Sequence, residues 1–253
     1  MLDLHFKVSG KGEPLFILHG LFGMLDNWQT ISNKLNDDFL VYQIDQRNHG
    51  KSPHAPKMNY SLMAEDIVHL MNKEGIASAH ILGHSMGGKT AMQTAIEFPE
   101  RVKKLIVIDI SPFGYPAGHD EIFDALYSID LANVSYRSDA EKILLDKIES
   151  FGVRQFLLKN LQRNKDGSYS WKMNLDVLRD DYAFIRGPVS KEVYRGETLF
   201  LRGGNSNYIT DEDWESIQLQ FPNSQLSTIQ NAGHWIHAEQ PQDVIEQVLR
   251  FAH

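Results

Sequence analysis

Gly83-His84-Ser85-Met86-Gly87-Gly88 stands between an apolar run, Ala79 to Leu82, and a helix-like stretch, Met86 to Phe98. A serine with glycine two residues away on either side suits a strand-to-helix turn so tight that Cβ atoms at the flanking positions would collide. Such a turn leaves Ser85 projecting on a strained backbone. The N–H of Met86, at the helix start, then points to where negative charge would develop on an attacked carbonyl. Ser85 is the candidate nucleophile and Met86 a candidate oxyanion donor. Outward from this turn, further short apolar runs lie at Leu15 to Leu18, Leu40 to Ile44, Leu105 to Ile108 and Thr198 to Leu201. Helix-like stretches intervene at Asn27 to Leu35 and Ser61 to Glu74, and one more, Gln242 to Phe251, follows Pro241. The alternation predicts an α/β fold with a mostly parallel central sheet and helices on both faces. It breaks between Phe113 and about Pro188, where no strong strand shows and helical periodicity dominates, as in Ala140 to Glu149 and Val153 to Leu161. The expected organisation is a core of residues 1–112 and 189–253 with a small helical lid inserted at 113–188, in which Asp166-Gly167 marks a turn.

The same glycine-rich stretch, extended from Gly83 to Thr90, also satisfies the phosphate-binding pattern G-x-x-x-x-G-K-T. A phosphate loop must be roomy, and it gives no reason for glycines two residues either side of a serine. The nucleotide-hydrolase reading is disfavoured on that ground, and Lys89 and Thr90 are left as helix residues without assigned chemistry.

The whole chain has 25 lysines and arginines against 33 acidic residues, a net charge of −8. That balance opposes nucleic acid and anionic membrane surfaces as partners. The chain has no cysteine, which removes thiolate catalysis and Cys-ligated metals. The N-terminal residues lack an apolar signal region, so a cytoplasmic location is expected.

A strand-like Leu226 to Ile229 leads into Asn231-Ala-Gly-His234-Trp235. A histidine in the loop after the last strand, placed after serine and acid in chain order, is a candidate general base. His84 lies in the turn but points away from the serine oxygen, and His237 is read as structural. No third ligand is spaced to join His234 and His237 at a metal, so no metal is expected. The acid is less direct. Arg202-Gly-Gly-Asn-Ser-Asn after Thr198 to Leu201 holds no carboxylate, whereas Leu105 to Ile108 ends directly in Asp109. Asp109 is the candidate that fixes the His234 tautomer, with Asp211 and Asp213 as alternatives. Thr210 with Asp213 reads as a capping box instead.

Taken together, HGLFG, DQRNHGKS, GHSMGGK, VIDISP, RGGNSNY and GHWIHAE span most of the chain and resemble the YbfF-type bacterial esterases of the α/β-hydrolase superfamily. The resemblance implies the α/β-hydrolase fold and, independently, the acid at Asp109. It implies a second oxyanion donor in the loop after Leu15 to Leu18, at the N–H of Leu21 ahead of that of Phe22, with His19 holding the loop. Asp45 and Arg47 of DQRNHGKS are expected to bond to loop backbones. The implied activity is a serine esterase working without cofactor on small-molecule esters, or thioesters, with short to medium acyl chains. An acyl-CoA thioesterase or perhydrolase on the same triad, and a receptor-like binding protein with vestigial turnover, are the alternatives. The oligomeric state stays open. Phe22, Phe113, Tyr115, Phe123, Tyr127, Phe156, Trp171 and Trp235 are candidates for lining an apolar substrate pocket, although aromatics at helical spacing also serve as core.

Overall fold

The computed structural model describes residues 1–253. Nine strands occur in chain order: β1 (Phe6–Gly10), β2 (Glu13–Leu18), β3 (Phe39–Ile44), β4 (Ala79–His84), β5 (Val102–Ile108), β6 (Leu161–Arg163), β7 (Tyr169–Trp171), β8 (Thr198–Gly203) and β9 (Ser224–Ile229). Seven of them form one sheet in the order β1-β3-β2-β4-β5-β8-β9. All neighbours pair in parallel except β1, which is antiparallel to β3. Helices α1 (Gln29–Leu35), α2 (Tyr60–Lys73) and α3 (Met86–Glu97) precede the segment between β5 and β8. That segment carries α4 (Asp120–Tyr127), α5 (Arg137–Leu145), α6 (Phe151–Leu158), α7 (Leu175–Asp180) and α8 (Tyr182–Ile185). Helices α9 (Asp211–Gln220), α10 (Ile236–Glu239) and α11 (Pro241–Ala252) complete the chain.

The period-2 alternation of strands divides the apolar residues between two cores. Along β2, Leu15 and Ile17 face α1 and α11 through Trp28, Ile31, Leu35, Val244 and Val248. Phe16 and Leu18 face the opposite side, where α2 and α3 pack together with Phe123 and Leu157 of the inserted segment. Burial of both faces explains why the strands read as continuous apolar runs. Helix α3 is buried from Met86 through Ala95. Its position needs Gly83 and Gly87, since a Cβ at Gly83 would collide with the Gly87 carbonyl and one at Gly87 with the Leu18 and His19 carbonyls.

The structure departs from the sequence reading in three places. β1 was not expected, because an edge strand covered on one side has little apolar content to show. β6 and β7 form a hairpin around the Asp166-Gly167 turn where no strand was expected; each is three residues long and mostly part-exposed, too short for a pattern. Helices α5 and α6 begin earlier than their apolar periodicity, because the Asp139 carboxylate accepts from the Tyr136 N–H (2.9 Å) and Ser150 caps α6. No helix is long and apolar enough to cross a membrane.

Lys89, which the phosphate-loop pattern would aim at a nucleotide, is fully buried. Its Nζ donates to the carbonyls of Phe113 and Gly187, each at 2.5 Å, which are the two ends of the inserted segment. The Tyr115 ring lies 4.8 Å from the same nitrogen. Burial pushes the ammonium down to about 7, while the carbonyls and the ring face favour its charged form. Lys89→Met should keep the aliphatic packing and strand both carbonyls, at about 1–3 kcal/mol each. The expected result is a lower denaturation midpoint with faster proteolysis at the two stems. An unchanged midpoint and cleavage pattern would mean that the stems are held by something else.

Candidate active site

Ser85 has φ 53° and ψ −121°, a conformation disfavoured for any side chain and costing on the order of 1–3 kcal/mol. It is held by its own N–H, which donates to the Ile108 carbonyl at 3.0 Å, and by the Lys89 N–H on its carbonyl at 3.0 Å. The next strand ends in a second strained residue, Asp109 at φ 51°, fixed by its N–H on the Leu201 carbonyl at 2.8 Å. Both side chains are thereby turned to the C-terminal edge of the sheet, where ligands bind in open α/β sheets.

There the loop after β9 brings His234 between them. Its Nδ1 lies 2.7 Å from Asp109 Oδ2 and its Nε2 lies 3.0 Å from Ser85 Oγ. With the carboxylate able only to accept, Nδ1 carries the proton and Nε2 is left to accept from the serine hydroxyl. Asp211 and Asp213 do not bond to His234. Asp211 pairs with Arg202 at 2.7 Å, and Asp213 closes the capping box with Thr210 at the start of α9.

The sequence reading missed two further contacts of this chain. Asp109 is fully buried, and its Oδ1 accepts from the Gly203 N–H at 2.9 Å while its Oδ2 accepts from the Ser206 hydroxyl. The Tyr208 ring stacks on His234 with centroids 4.0 Å apart. Both residues come from the stretch Arg202 to Tyr208, which the reading treated as a place where a carboxylate was absent; a hydroxyl that donates to a distant carboxylate leaves no mark in local sequence.

The two loop nitrogens considered as oxyanion donors differ in the structure. The Phe22 N–H already donates to His49 Nε2 at 3.3 Å, whereas the N–H groups of Leu21 and Met86 have no acceptor within the protein. Phe22 itself sits at φ 60°. His19 holds this loop as expected: its Nε2 accepts from the Gln46 N–H at 3.0 Å, so its Nδ1–H donates to the Gly20 carbonyl at 2.8 Å. Asp45 accepts from the N–H groups of Leu25 (2.8 Å) and Lys51 (2.9 Å), and Arg47 reaches the carbonyls of Lys57 and Leu62 and the Asp66 carboxylate. His84 Nε2 lies 2.8 Å from the carbonyl of His234 and donates to it, which anchors the loop bearing the candidate base.

Ser85 opens into a cavity of about 40 Å³ lined among others by Leu21, Phe22, Trp28, His119, Phe156, His234 and Trp235. Of the aromatic candidates, Phe22, Phe156 and Trp235 are therefore at the serine. Phe113 and Tyr115 line a separate groove on the other side of His234, together with Asn205 to Tyr208. Phe123 is fully buried behind Phe22, with ring centroids 5.1 Å apart, and acts as core. Tyr127 and Trp171 correct the reading more sharply, since they line a distant groove with Ile129 and Asp176, and the Tyr127 hydroxyl is spent on Asp176 at 2.8 Å. Helical and hairpin geometry turns them away from the sheet edge. His237 stacks on Trp28, but its Nδ1 has no partner, contrary to the expectation that it is satisfied.

A strand-turn-helix serine, a histidine on the last loop and a buried carboxylate on the neighbouring strand thus meet at one edge of an α/β-hydrolase scaffold. A model of the alpha/beta hydrolase fold family matches residues 13–131. The chain belongs to this superfamily, among the YbfF-type esterases, and is a hydrolase of the carboxylesterase type. It is 38% identical to esterase YbfF of Escherichia coli over 95% of this chain and 93% of that one. It is 39% identical to the sn-1-specific diacylglycerol lipase ABHD11 of Danio rerio over 97% of this chain and 80% of that one. The solved structure of a marine microorganism esterase shares 45% of the sequence, with a TM-score of 0.97 over 99% of this chain and 100% of that one.

Burial depresses His19 to about 4, His49 to about 3 and His84 well below the ordinary histidine value. The unfolded chain would protonate these groups near 6.5, so from about pH 6.5 down to 4 the unfolded state binds more protons and stability falls with pH. At pH 5, His19 and His49 should each account for about 2 kcal/mol of that loss. Chemical denaturation at stepped pH should show the midpoint dropping between pH 7 and pH 5, with a shallower drop in His49→Gln. A flat profile would mean that these rings are charged or solvated in the folded state.

Proposed function

We propose that the protein hydrolyses uncharged carboxylic esters with short to medium acyl chains through an acyl-enzyme on Ser85. The observation that carries this reading is the unbroken line of hydrogen bonds from Ser85 Oγ through His234 to Asp109. Ser85 Oγ attacks the carbonyl carbon while His234 Nε2 takes its proton. The oxygen of the tetrahedral intermediate is received by the free N–H groups of Leu21 and Met86. Collapse breaks the bond to the alcohol, which leaves with the proton from His234. A water then gives its proton to His234 and attacks the acyl carbon, and Ser85 recovers its proton as the acid departs. Asp109 stays ionised throughout and holds the imidazolium as it forms.

The cavity at Ser85 has no lysine, arginine, aspartate or glutamate in its lining, which supports a neutral ester over a polyanionic acyl-CoA close to the reacting bond. Residues 113–188 form the lid over a core of 1–112 and 189–253. At about 40 Å³ the cavity has room for only a few waters. An adjoining groove of about 370 Å³ shares Asn27, Val153, Phe156, Trp235 and His237 with it. Phe156 and Trp235, with ring centroids 6.3 Å apart, stand where the two meet. The acyl chain enters when this pair parts.

A fluorophosphonate should label Ser85, and Ser85→Ala should abolish labelling and turnover together. Asp109→Asn should keep the melting temperature within a few degrees and lower kcat by on the order of 10⁴, as when the orienting acid of a serine protease is neutralised. A folded Asp109→Asn enzyme with normal turnover beside an inactive Asp211→Asn would move the acid to the later loop. A graded series of p-nitrophenyl esters beside acyl-CoA thioesters separates the substrate classes. Binding without turnover across the whole series would favour a receptor-like protein.

A further inference from the structure

His119 stands at the head of α4 and lines the cavity that holds Ser85 and His234, yet the triad and the oxyanion donors make no use of it. Its surroundings settle which nitrogen carries the proton. The N–H groups of Gly118 and His119 both donate to the Tyr182 hydroxyl oxygen, each at 3.2 Å. His119 Nδ1 lies 2.7 Å from the same oxygen. With both lone pairs of that oxygen occupied, its own hydrogen has to go to Nδ1. Nδ1 is therefore the acceptor, and Nε2 carries the N–H. No protein acceptor lies within reach of Nε2, and this nitrogen is not sealed among the buried partnerless atoms, so it faces open space. The Phe22 and Tyr182 rings brace the imidazole at 6.2 and 5.7 Å between centroids.

We propose that His119 is a substrate-recognition residue, whose Nε2–H donates a hydrogen bond to a neutral oxygen on the alcohol side of the ester, as in an ester of a diol or polyol. The alcohol side follows from the chemistry of His234. That ring hands its proton to the leaving oxygen, so the alcohol lies beside it, and His119 lines the same cavity as His234. Neutrality follows from the site. Burial holds His119 down to about 4, so at neutral pH it offers a donor without charge, and the lining holds no cation that would attract a carboxylate. A locked, neutral donor is selective, because a substrate lacking the oxygen leaves that N–H desolvated and unpaired.

This inference rests on the esterase reading, and the test separates the two. The probes are 2-hydroxyethyl butyrate and propyl butyrate, which differ by a hydroxyl in place of a methyl at the end of the alcohol. The wild-type enzyme should favour the hydroxylated ester by about 10-fold in kcat/KM, chiefly through KM. In His119→Leu that ratio should fall to about 1. His119→Gln, whose amide nitrogen reaches the Nε2 position, should restore most of the preference, and Tyr182→Phe, which frees the tautomer, should weaken it. Because the readout is a ratio between two substrates, a general loss of folded enzyme does not imitate the result. A wild-type enzyme without preference, or a His119→Leu enzyme that keeps it, would overturn the role of His119 while leaving the esterase reading intact. Failure of the wild-type enzyme to cleave either ester would overturn both.

Discussion

A carboxylate with no exposure to water, Asp109, is the point on which the site depends. An ionised group taken out of solvent costs several kcal/mol unless it is paired and fully hydrogen-bonded. Asp109 meets that demand with three donors from two separate segments: the Gly203 N–H at the end of β8 with the Ser206 hydroxyl just beyond it, and His234 after β9. Those segments belong to neighbouring parallel strands, β8 beside β5 and β9 beside β8. The sheet order is therefore what makes a buried charge tolerable here. Removing any one donor leaves an unpaired lone pair in a dry place, so the candidate site and the stability of this sheet edge share the same bonds.

Strain is distributed in the same pattern. Five residues other than glycine have positive φ: Phe22, Asn48, Ser85, Asp109 and Asn231. Ser85 and Asp109 are the candidate nucleophile and acid, Phe22 belongs to the candidate oxyanion loop, and Asn231 begins the turn into His234. Such conformations persist where the surrounding structure over-determines them. Around the site that work falls to uncharged histidines. His19 and His49 each use both ring nitrogens on loop backbones near the reacting atoms, His84 uses one, and their burial keeps them neutral. A charged side chain in these positions would perturb His234, whereas a neutral ring with one donor and one acceptor joins two backbones without adding a field.

How much of this could be read from the chain depended on whether the physics was local. The Gly83-to-Gly88 turn is a steric requirement within six residues, so Ser85 and the N–H of Met86 were legible there. The strands of the central sheet were legible because both faces are buried, and β1 was hidden for the opposite reason. His234 was marked by its position after the last strand. Asp109 emerged by elimination and by family resemblance, since nothing in Val-Ile-Asp-Ile itself announces a positive φ. Ser206, Tyr208 and His119 had no signal at all. Each acts through a partner about 25 to 100 positions away, and that proximity is created by the sheet order and by the inserted segment. The aromatic candidates failed in part for a related reason: a helix such as α4 places Phe123 in the core and Tyr127 toward solvent, and spacing alone does not say which face meets the serine.

The inserted segment is fastened too firmly to be a freely swinging cover. Lys89 joins both of its ends, and the Tyr60 hydroxyl bonds to the Ile185 carbonyl. The Asp181 carboxylate accepts from the Met58 N–H at 2.6 Å, and Asn160, fully buried, donates to the Phe22 carbonyl at 2.8 Å. The last of these bears on the site, because Phe22 follows Leu21, the candidate oxyanion donor, in the same loop. Phe22 sits at a strained φ of 60°, a conformation that persists where the surrounding structure over-determines it. Asn160 holds the Phe22 carbonyl and His49 the Phe22 N–H, while the Gly20–Leu21 peptide that carries the Leu21 N–H is held through the Gly20 carbonyl, which accepts from the His19 ring and from the Gly23 N–H at 3.0 Å. The segment between β5 and β8 thus reaches the site at two points, through Asn160 behind the candidate oxyanion loop and through His119 in the lining of the cavity at Ser85, and its polar ties to the body hold both in place.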